Sequence, residues 1–181
     1  MKKIVIIYGL IAGIIVGATF FIGAPLFDQG IITFDNGMWV GYTSMIIALS
    51  LIFFGVKNYR DNKLQGIISF GTAFKMGLLI TGVASVVYAL SWEVAYRTVS
   101  KGYSEAMYTH ELSKIKENSK NETELQEQTQ RMEDFKVMYE NPLIRFGITL
   151  MEIFPVGLLI SLIVAGLLRK KEFLPPSQAT H

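Results

Sequence analysis

The sequence predicts an all-α integral membrane protein with four transmembrane helices and an extracytoplasmic helical hairpin between the third and the fourth. Only 18% of the 181 residues are charged, whereas 51% are hydrophobic, and an ordinary soluble domain carries about a quarter charged residues. The charges crowd into one central stretch and leave four long apolar runs almost free of them. This segregation is typical of membrane spans with one polar excursion.

The composition excludes several kinds of functional site. The chain has no cysteine and two histidines, so disulfides, thiolate zinc sites and cysteine nucleophiles are excluded and a histidine metal site is not expected. We find no phosphate-binding glycine loop and no nucleophile placed with a histidine. The net charge of +2 does not suggest nucleic-acid binding. We therefore expect no cofactor and no enzymatic activity.

The first predicted span covers residues 4–24, which is long enough to cross a hydrocarbon core of about 30 Å. Lys2 and Lys3 precede it, so a cleaved signal peptide is the alternative. The apolar region exceeds the usual length of about 7–15 residues for such a peptide. In addition, Pro25 follows Ala24 at the most plausible cleavage point. These features favour a retained helix.

Three further apolar runs predict spans at residues 38–56, 70–92 and 143–168. The last begins after Asn141 and Pro142. Asparagine caps helix starts well, and proline costs nothing at the first helical position, where its missing N–H would have no partner.

The distribution of positive charge predicts the orientation. Basic residues occur at the N-terminus, in the loop 57–69 and in the tail 169–181, and the loop after span one has none. In a four-span protein these three basic segments lie on one side, which the positive-inside rule makes cytoplasmic. Both termini are therefore expected in the cytoplasm of a multi-pass protein of the cytoplasmic (inner) membrane. The basic residues are Lys2, Lys3, Lys57, Arg60, Lys63, Arg169, Lys170 and Lys171.

The excursion at residues 93–142 carries seven Lys and Arg against ten Asp and Glu. Its apolar positions recur at steps of three and four, as on one helix face. Asn121 and Glu124 resemble a capping pair for a second helix. A helical hairpin extending spans three and four is the first interpretation, and disorder is the alternative, because the middle of the segment is almost wholly polar.

Small residues at steps of four line several spans. Such stripes let two helix backbones approach closely in lipid. One hypothesis is a homo-oligomer formed through span one, and the other, favoured by stripes on three spans, is packing within one four-helix bundle. The glycines of these stripes are Gly9, Gly13, Gly17, Gly77 and Gly157.

Four aromatic residues cluster near the predicted outer ends of spans two and three. They are Trp39, Tyr42, Tyr88 and Trp92. Tryptophan and tyrosine are enriched where the membrane meets water, so we expect them to form an aromatic belt.

The stretch from Phe53 to Trp92 resembles the bacterial domain-of-unknown-function family 4199. The likeness covers nearly the whole chain, and it implies a small four-span protein of the bacterial cytoplasmic membrane without implying an activity. The matching features are a tyrosine–arginine pair in the basic loop, a glycine and a phenylalanine before an "AFK" start to span three, and an acid, a proline and a glycine in the last span. Here these are Tyr59, Arg60, Gly66, Phe70, Ala73 to Lys75, Glu152, Pro155 and Gly157.

Ionisable residues inside spans are candidates for function, because charge is costly in lipid. Lys75 and Arg145 lie near the ends of their spans, so their long side chains can reach the interface. Glu152 lies about 15 Å along the helix from Asn141, and its short side chain cannot. We expect this carboxyl group to gain a proton or a partner.

Pro155 removes a backbone donor and leaves the carbonyl of Met151 without its helical partner. Arg145, Thr149 and Glu152 share one helix face at steps of four and three. One hypothesis is a structural polar clamp, in which a protonated Glu152 bonds a neighbouring helix. The other is an ion or proton site, or a substrate contact.

The function predicted from these features is that of a non-enzymatic structural or interaction protein. Its expected partners are the lipid bilayer and either a second copy or another membrane protein, and no nucleic acid. The basic loop, with Tyr59 and Arg60, is compatible with contacts to lipid phosphates. The alternative function is a small transporter or channel that uses Glu152.

Overall fold

The computed structural model describes residues 1–170 and 173–174, and within them the chain is helical without any strand. Four stretches are long and apolar enough to cross a membrane, and this confirms the predicted all-α fold with four candidate spans. The described residues form α1 (Lys2–Asp28), α2 (Phe34–Leu49), α3 (Leu51–Lys63), α4 (Phe70–Thr98), α5 (Tyr103–Asn118), α6 (Glu122–Tyr139) and α7 (Pro142–Leu168).

The second span consists of α2 and α3, which meet at Ser50. The Ser50 hydroxyl donates to the carbonyl of Ile47 at 2.6 Å. Helix α3 continues to Lys63, so the first half of the segment 57–69, predicted as a loop, is helical. The predicted tail 169–181 lies largely outside the described residues.

Helix α4 packs against α7 in the opposite direction. A Cβ added to Gly77 would lie 2.8 Å from the Ser161 hydroxyl, and one added to Gly157 would overlap Thr81. The hydroxyls of Thr81 and Ser161 lie 3.3 Å apart between them. The small residues of the two helices therefore interdigitate, which brings the helix axes close together.

Helix α1 packs against α4 in the same direction. A Cβ on Gly9 would lie 2.6 Å from Cβ of Val83, and one on Gly13 would lie 2.6 Å from Cβ of Val87. The same step continues to Gly17, which faces Ser91. All three glycines of span one thus contact α4 of the same chain.

Two of the four aromatic residues predicted as a membrane belt lie in the protein interior. Tyr88 and Trp92 are buried, whereas Trp39 is 75% exposed and Tyr42 is also exposed. The belt prediction is wrong for the buried pair, because steps of four from Ala84 place both on the buried face of α4. There both rings pack against Phe20 of α1 in tilted arrangements, with ring centres 4.8 and 4.7 Å apart.

Helices α5 and α6 form the hairpin. The Asn121 side chain accepts from the Glu124 amide at 2.8 Å, as the sequence predicts for a cap. Lys136 pairs with Glu105 across the hairpin. The hairpin also folds back onto the start of α2, since Lys114 contacts Asp35.

Candidate functional site

A polar cluster joins α4, α6 and α7 at the end of the bundle that carries the hairpin, and Arg145 is its centre. Arg145 follows Pro142 in the first turn of α7 and is 2% exposed. Its Nε donates to Glu93 Oε1 at 2.8 Å and its Nη2 to Glu93 Oε2 at 2.7 Å. A bidentate pair of this kind is the geometry in which a guanidinium binds a carboxylate best.

The Nη1 group and the flat face of the Arg145 guanidinium also have partners. Its Nη1 donates to the Tyr139 carbonyl at 3.0 Å, at the C-terminal end of α6, where free carbonyls attract positive charge. The guanidinium carbon lies 3.8 Å from the centre of the Tyr96 ring, within cation–π range. One side chain therefore ties three helices together.

Glu140 extends the cluster to the start of α5. Its Oε1 accepts from the Ser104 hydroxyl at 2.6 Å and from the Tyr96 hydroxyl at 3.0 Å. The hydrogen bonds from Ser104 and Tyr96, helped by the nearby charge of Arg145, hold the pKa of Glu140 below its usual range. The ionised carboxylate thus fastens the base of the hairpin to α4.

Aromatic residues surround this junction. Trp92 Nε1 donates to the Tyr139 hydroxyl at 2.8 Å, and the Trp92 ring meets Tyr103 edge-on at 5.0 Å. Burial is the main cause, and the charge of Glu152 the second, of a pKa of Tyr103 that is raised to about 12. The hairpin is therefore anchored to the spans by apolar as well as polar contacts.

Glu152 lies apart from Arg145. Its Oε2 accepts from the Tyr88 hydroxyl of α4 at 3.4 Å, a long hydrogen bond, and the residue remains exposed on the surface of the bundle. The Thr149 hydroxyl donates instead to the Arg145 carbonyl at 2.9 Å. The three residues predicted to share a helix face thus belong to two separate sets of contacts.

Two other residues of the predicted polar site do not join Glu152 in a pocket. Pro155 is exposed, and α7 runs on through it to Leu168. Lys75 is exposed on α4, and thirteen residues separate it from Tyr88, or about 20 Å along the helix.

The basic-loop arginine has a different role from the one its position suggests. Arg60 is fully buried, and its Nη1 and Nη2 donate to the carbonyls of Phe173 and Leu174 at 2.9 and 2.5 Å. Its Nε donates to Asp61 at 2.7 Å. The suggested contact of Arg60 with lipid phosphates is wrong, because these donors are occupied within the protein. The neighbouring Tyr59 packs against the core.

Several residues of the cluster were missed from the sequence. Glu93 was assigned only to the boundary of the excursion, although it directly follows the predicted span 70–92 and Arg145 lies near the start of the predicted span 143–168. Opposite charges at the adjoining ends of two consecutive spans were a usable signal for this pair. The other residues missed are Tyr96, Ser104, Tyr139 and Glu140.

Among the described residues, no three acidic, histidine or cysteine side chains come together as metal ligands. The four apolar helices and the satisfied polar junction define a multi-pass helical membrane protein. The chain belongs to the family described as "Protein of unknown function (DUF4199)", whose profile matches residues 7–170. No curated protein and no solved structure matches it.

Proposed function

We propose that the chain is a non-enzymatic structural or interaction protein of the bacterial cytoplasmic membrane. Its termini lie in the cytoplasm, and its hairpin projects outside and contacts a second copy or another membrane protein. The observation that carries this proposal is the Arg145 junction, which holds α6 against the α4–α7 pair. A rigidly mounted hairpin presents a fixed surface, and preorganisation of this kind lowers the entropic cost of binding.

The chemistry of the junction supports an architectural role. Arg145 donates hydrogen bonds to Glu93 and to the Tyr139 carbonyl. Glu140 accepts hydrogen bonds from the hydroxyls of Tyr96 and Ser104. The polar atoms of these groups form hydrogen bonds and ion pairs with one another. A catalytic site, by contrast, keeps acids, bases or nucleophiles facing a place where substrate can bind.

Photo-cross-linking in the native membrane tests the proposal. A photoreactive residue replaces Glu127, which lies on α6 with its side chain 66% exposed. We expect adducts of discrete mass with a partner or a second copy, and weaker adducts when Arg145→Gln loosens the hairpin. The matched control position is Leu159, which is exposed on α7 and should react mainly with lipid. If Glu127 gives no discrete adduct, the interaction proposal is wrong.

One observation favours a second function, a small transporter or channel. Glu152 is an exposed residue in the middle of the apolar helix α7, and among the described residues its partly buried carboxylate accepts one long hydrogen bond, from Tyr88. Intramembrane acids often bind protons or ions. Purified Glu152→Gln and wild-type protein in sealed vesicles separate the two functions. A proton- or ion-linked flux that disappears in a normally folded Glu152→Gln variant would establish transport and reject the interaction-only proposal.

A further inference from the structure

A shallow groove runs between α4 and α7 at the hairpin end of the bundle, on the outer surface of the protein. Its walls are apolar, and three of the wall residues are strongly exposed. Leu90 and Val94 of α4 are each 53% exposed, and Leu143 of α7 is 84% exposed. Phe146 of α7 also lines the groove.

The groove crosses the boundary between the apolar and the polar part of α4. Leu90 belongs to the predicted span 70–92, whereas Arg97 lies seven residues further on, about 10 Å along the helix. Both helices that line the groove are candidate spans. One end of the groove therefore lies where hydrocarbon is expected, and the other lies where lipid headgroups are expected.

The polar end of the groove presents an exposed guanidinium, that of Arg97. Glu93 lines it, but both Glu93 oxygens already bond Arg145. The Arg97 side chain is 66% exposed, and its Nη2 lies 3.8 Å from Glu93 Oε2, beyond hydrogen-bond distance. The carboxylates of Glu93 and Glu140 balance Arg145 and Arg97 in formal charge. Among the described residues, however, the Arg97 guanidinium has only its 3.8 Å contact with Glu93, and its donors are accessible. Guanidinium groups bind phosphate oxygens well.

We propose that this groove is a phospholipid-binding site, in which one acyl chain lies along Leu90, Val94 and Leu143 while the headgroup phosphate binds Arg97. The apolar walls provide the surface for the acyl chain, and the exposed guanidinium of Arg97 provides the donors for the phosphate. A bound lipid of this kind would cover the seam beside the Glu93–Arg145 pair and keep water away from it.

The test uses the full chain in detergent, with bound lipid measured by native mass spectrometry. Dipalmitoyl phosphatidylglycerol is the main probe. Dipalmitoyl glycerol supplies the chains without phosphate, and inorganic phosphate supplies the anion without chains. We expect wild-type protein to retain phosphatidylglycerol, to retain dipalmitoyl glycerol about tenfold less, and to lose no lipid to competing phosphate.

Two variants probe the two halves of the site. Arg97→Gln removes the phosphate contact, and Leu90→Trp fills the apolar wall. Each should lower retention of phosphatidylglycerol about tenfold. Arg131→Gln, a matched loss of an exposed arginine on the hairpin, should leave retention unchanged.

Any of three results would overturn the proposal. They are retention of dipalmitoyl glycerol equal to that of phosphatidylglycerol, displacement of the lipid by phosphate alone, and retention in Arg97→Gln equal to that of wild type. Arg97 is largely exposed, so its replacement should not prevent folding, and an unchanged thermal unfolding profile verifies this.

Discussion

At the level of single residues, the buried arginine of the junction is surrounded by groups that compensate its charge. Arg145 is almost entirely removed from solvent, yet it faces a carboxylate, a helix C-terminus and an aromatic ring. Removing one partner from such a pair is costly because the other charge is left buried and unpaired. The junction should therefore be destabilised more by the loss of one member of the Arg145–Glu93 pair than the value of a single hydrogen bond would suggest.

Replacing Glu93 by Gln should lower the free energy of unfolding by about 3 kcal/mol, since Arg145 would remain buried without its carboxylate. Thermal unfolding in detergent, followed by circular dichroism, measures this. The double variant Glu93→Gln/Arg145→Gln should lose less unfolding free energy than the two single variants lose in sum. Additive costs would contradict the pairing, and the exposed pair of Arg131 and Glu127 provides a control worth about 0.5 kcal/mol or less.

Glu140 should make the attachment of the hairpin sensitive to acid. Because hydrogen bonds lower its pKa in the folded protein, its contribution is complete above the unfolded value of about 4.3 and is lost as the pH falls through the lower folded value. Unfolding temperatures measured from pH 6 down to pH 3 should therefore decline less steeply in Glu140→Gln than in wild type. Ser104→Ala, which removes one donor, should give an intermediate slope, and identical slopes in all three proteins would reject the role of Glu140.

At the scale of helices, α4 is the element on which the others assemble. It meets α1 through glycines of α1, and it meets α7 through small residues on both helices. Van der Waals packing of this kind is a main source of attraction between helices in lipid, because the hydrophobic effect does not drive helices together there. The spacing of four along each helix makes these contacts repeat at every turn.

Gly13→Leu should separate α1 from α4. Even the first added carbon would meet the Ala84 carbonyl at 2.9 Å, and a backbone group cannot move aside. We expect a loss of about 1–3 kcal/mol in unfolding free energy, with no change in particle size on gel filtration in detergent. A changed particle size would point instead to an oligomer formed through span one. Gly147→Leu, where the added carbon meets open space, is the matched control.

At the scale of the whole molecule, the bundle has two unlike ends. Basic residues near the helix termini mark one end, where Arg60 also holds the chain at Phe173 and Leu174. The other end carries the hairpin, which contacts α2 as well as α4 and α7. A molecule with two unlike ends exposes a different surface on each side of a membrane.

Reporter fusions test the orientation of this asymmetry. A reporter active only in the cytoplasm should work after His181, and one active only outside should work when inserted at Lys120, between α5 and α6. This follows from the bias of positive charge toward the N-terminus, the loop 57–69 and the tail. The reverse pattern at both sites would invert the proposed topology.

The amino-acid sequence was sufficient to predict the class of the protein and its four spans, and it favoured a helical hairpin over a disordered segment. These depend on local composition and periodicity, as in the cap at Asn121 or the helix start at Pro142. The pairing of the polar groups, by contrast, became visible in the folded protein. Arg145 pairs with Glu93, fifty-two positions away, and Arg60 turns inward to the carbonyls of Phe173 and Leu174. A helical pattern specifies which face of its helix a residue occupies, but the partner of that residue depends on how separate helices pack against the face.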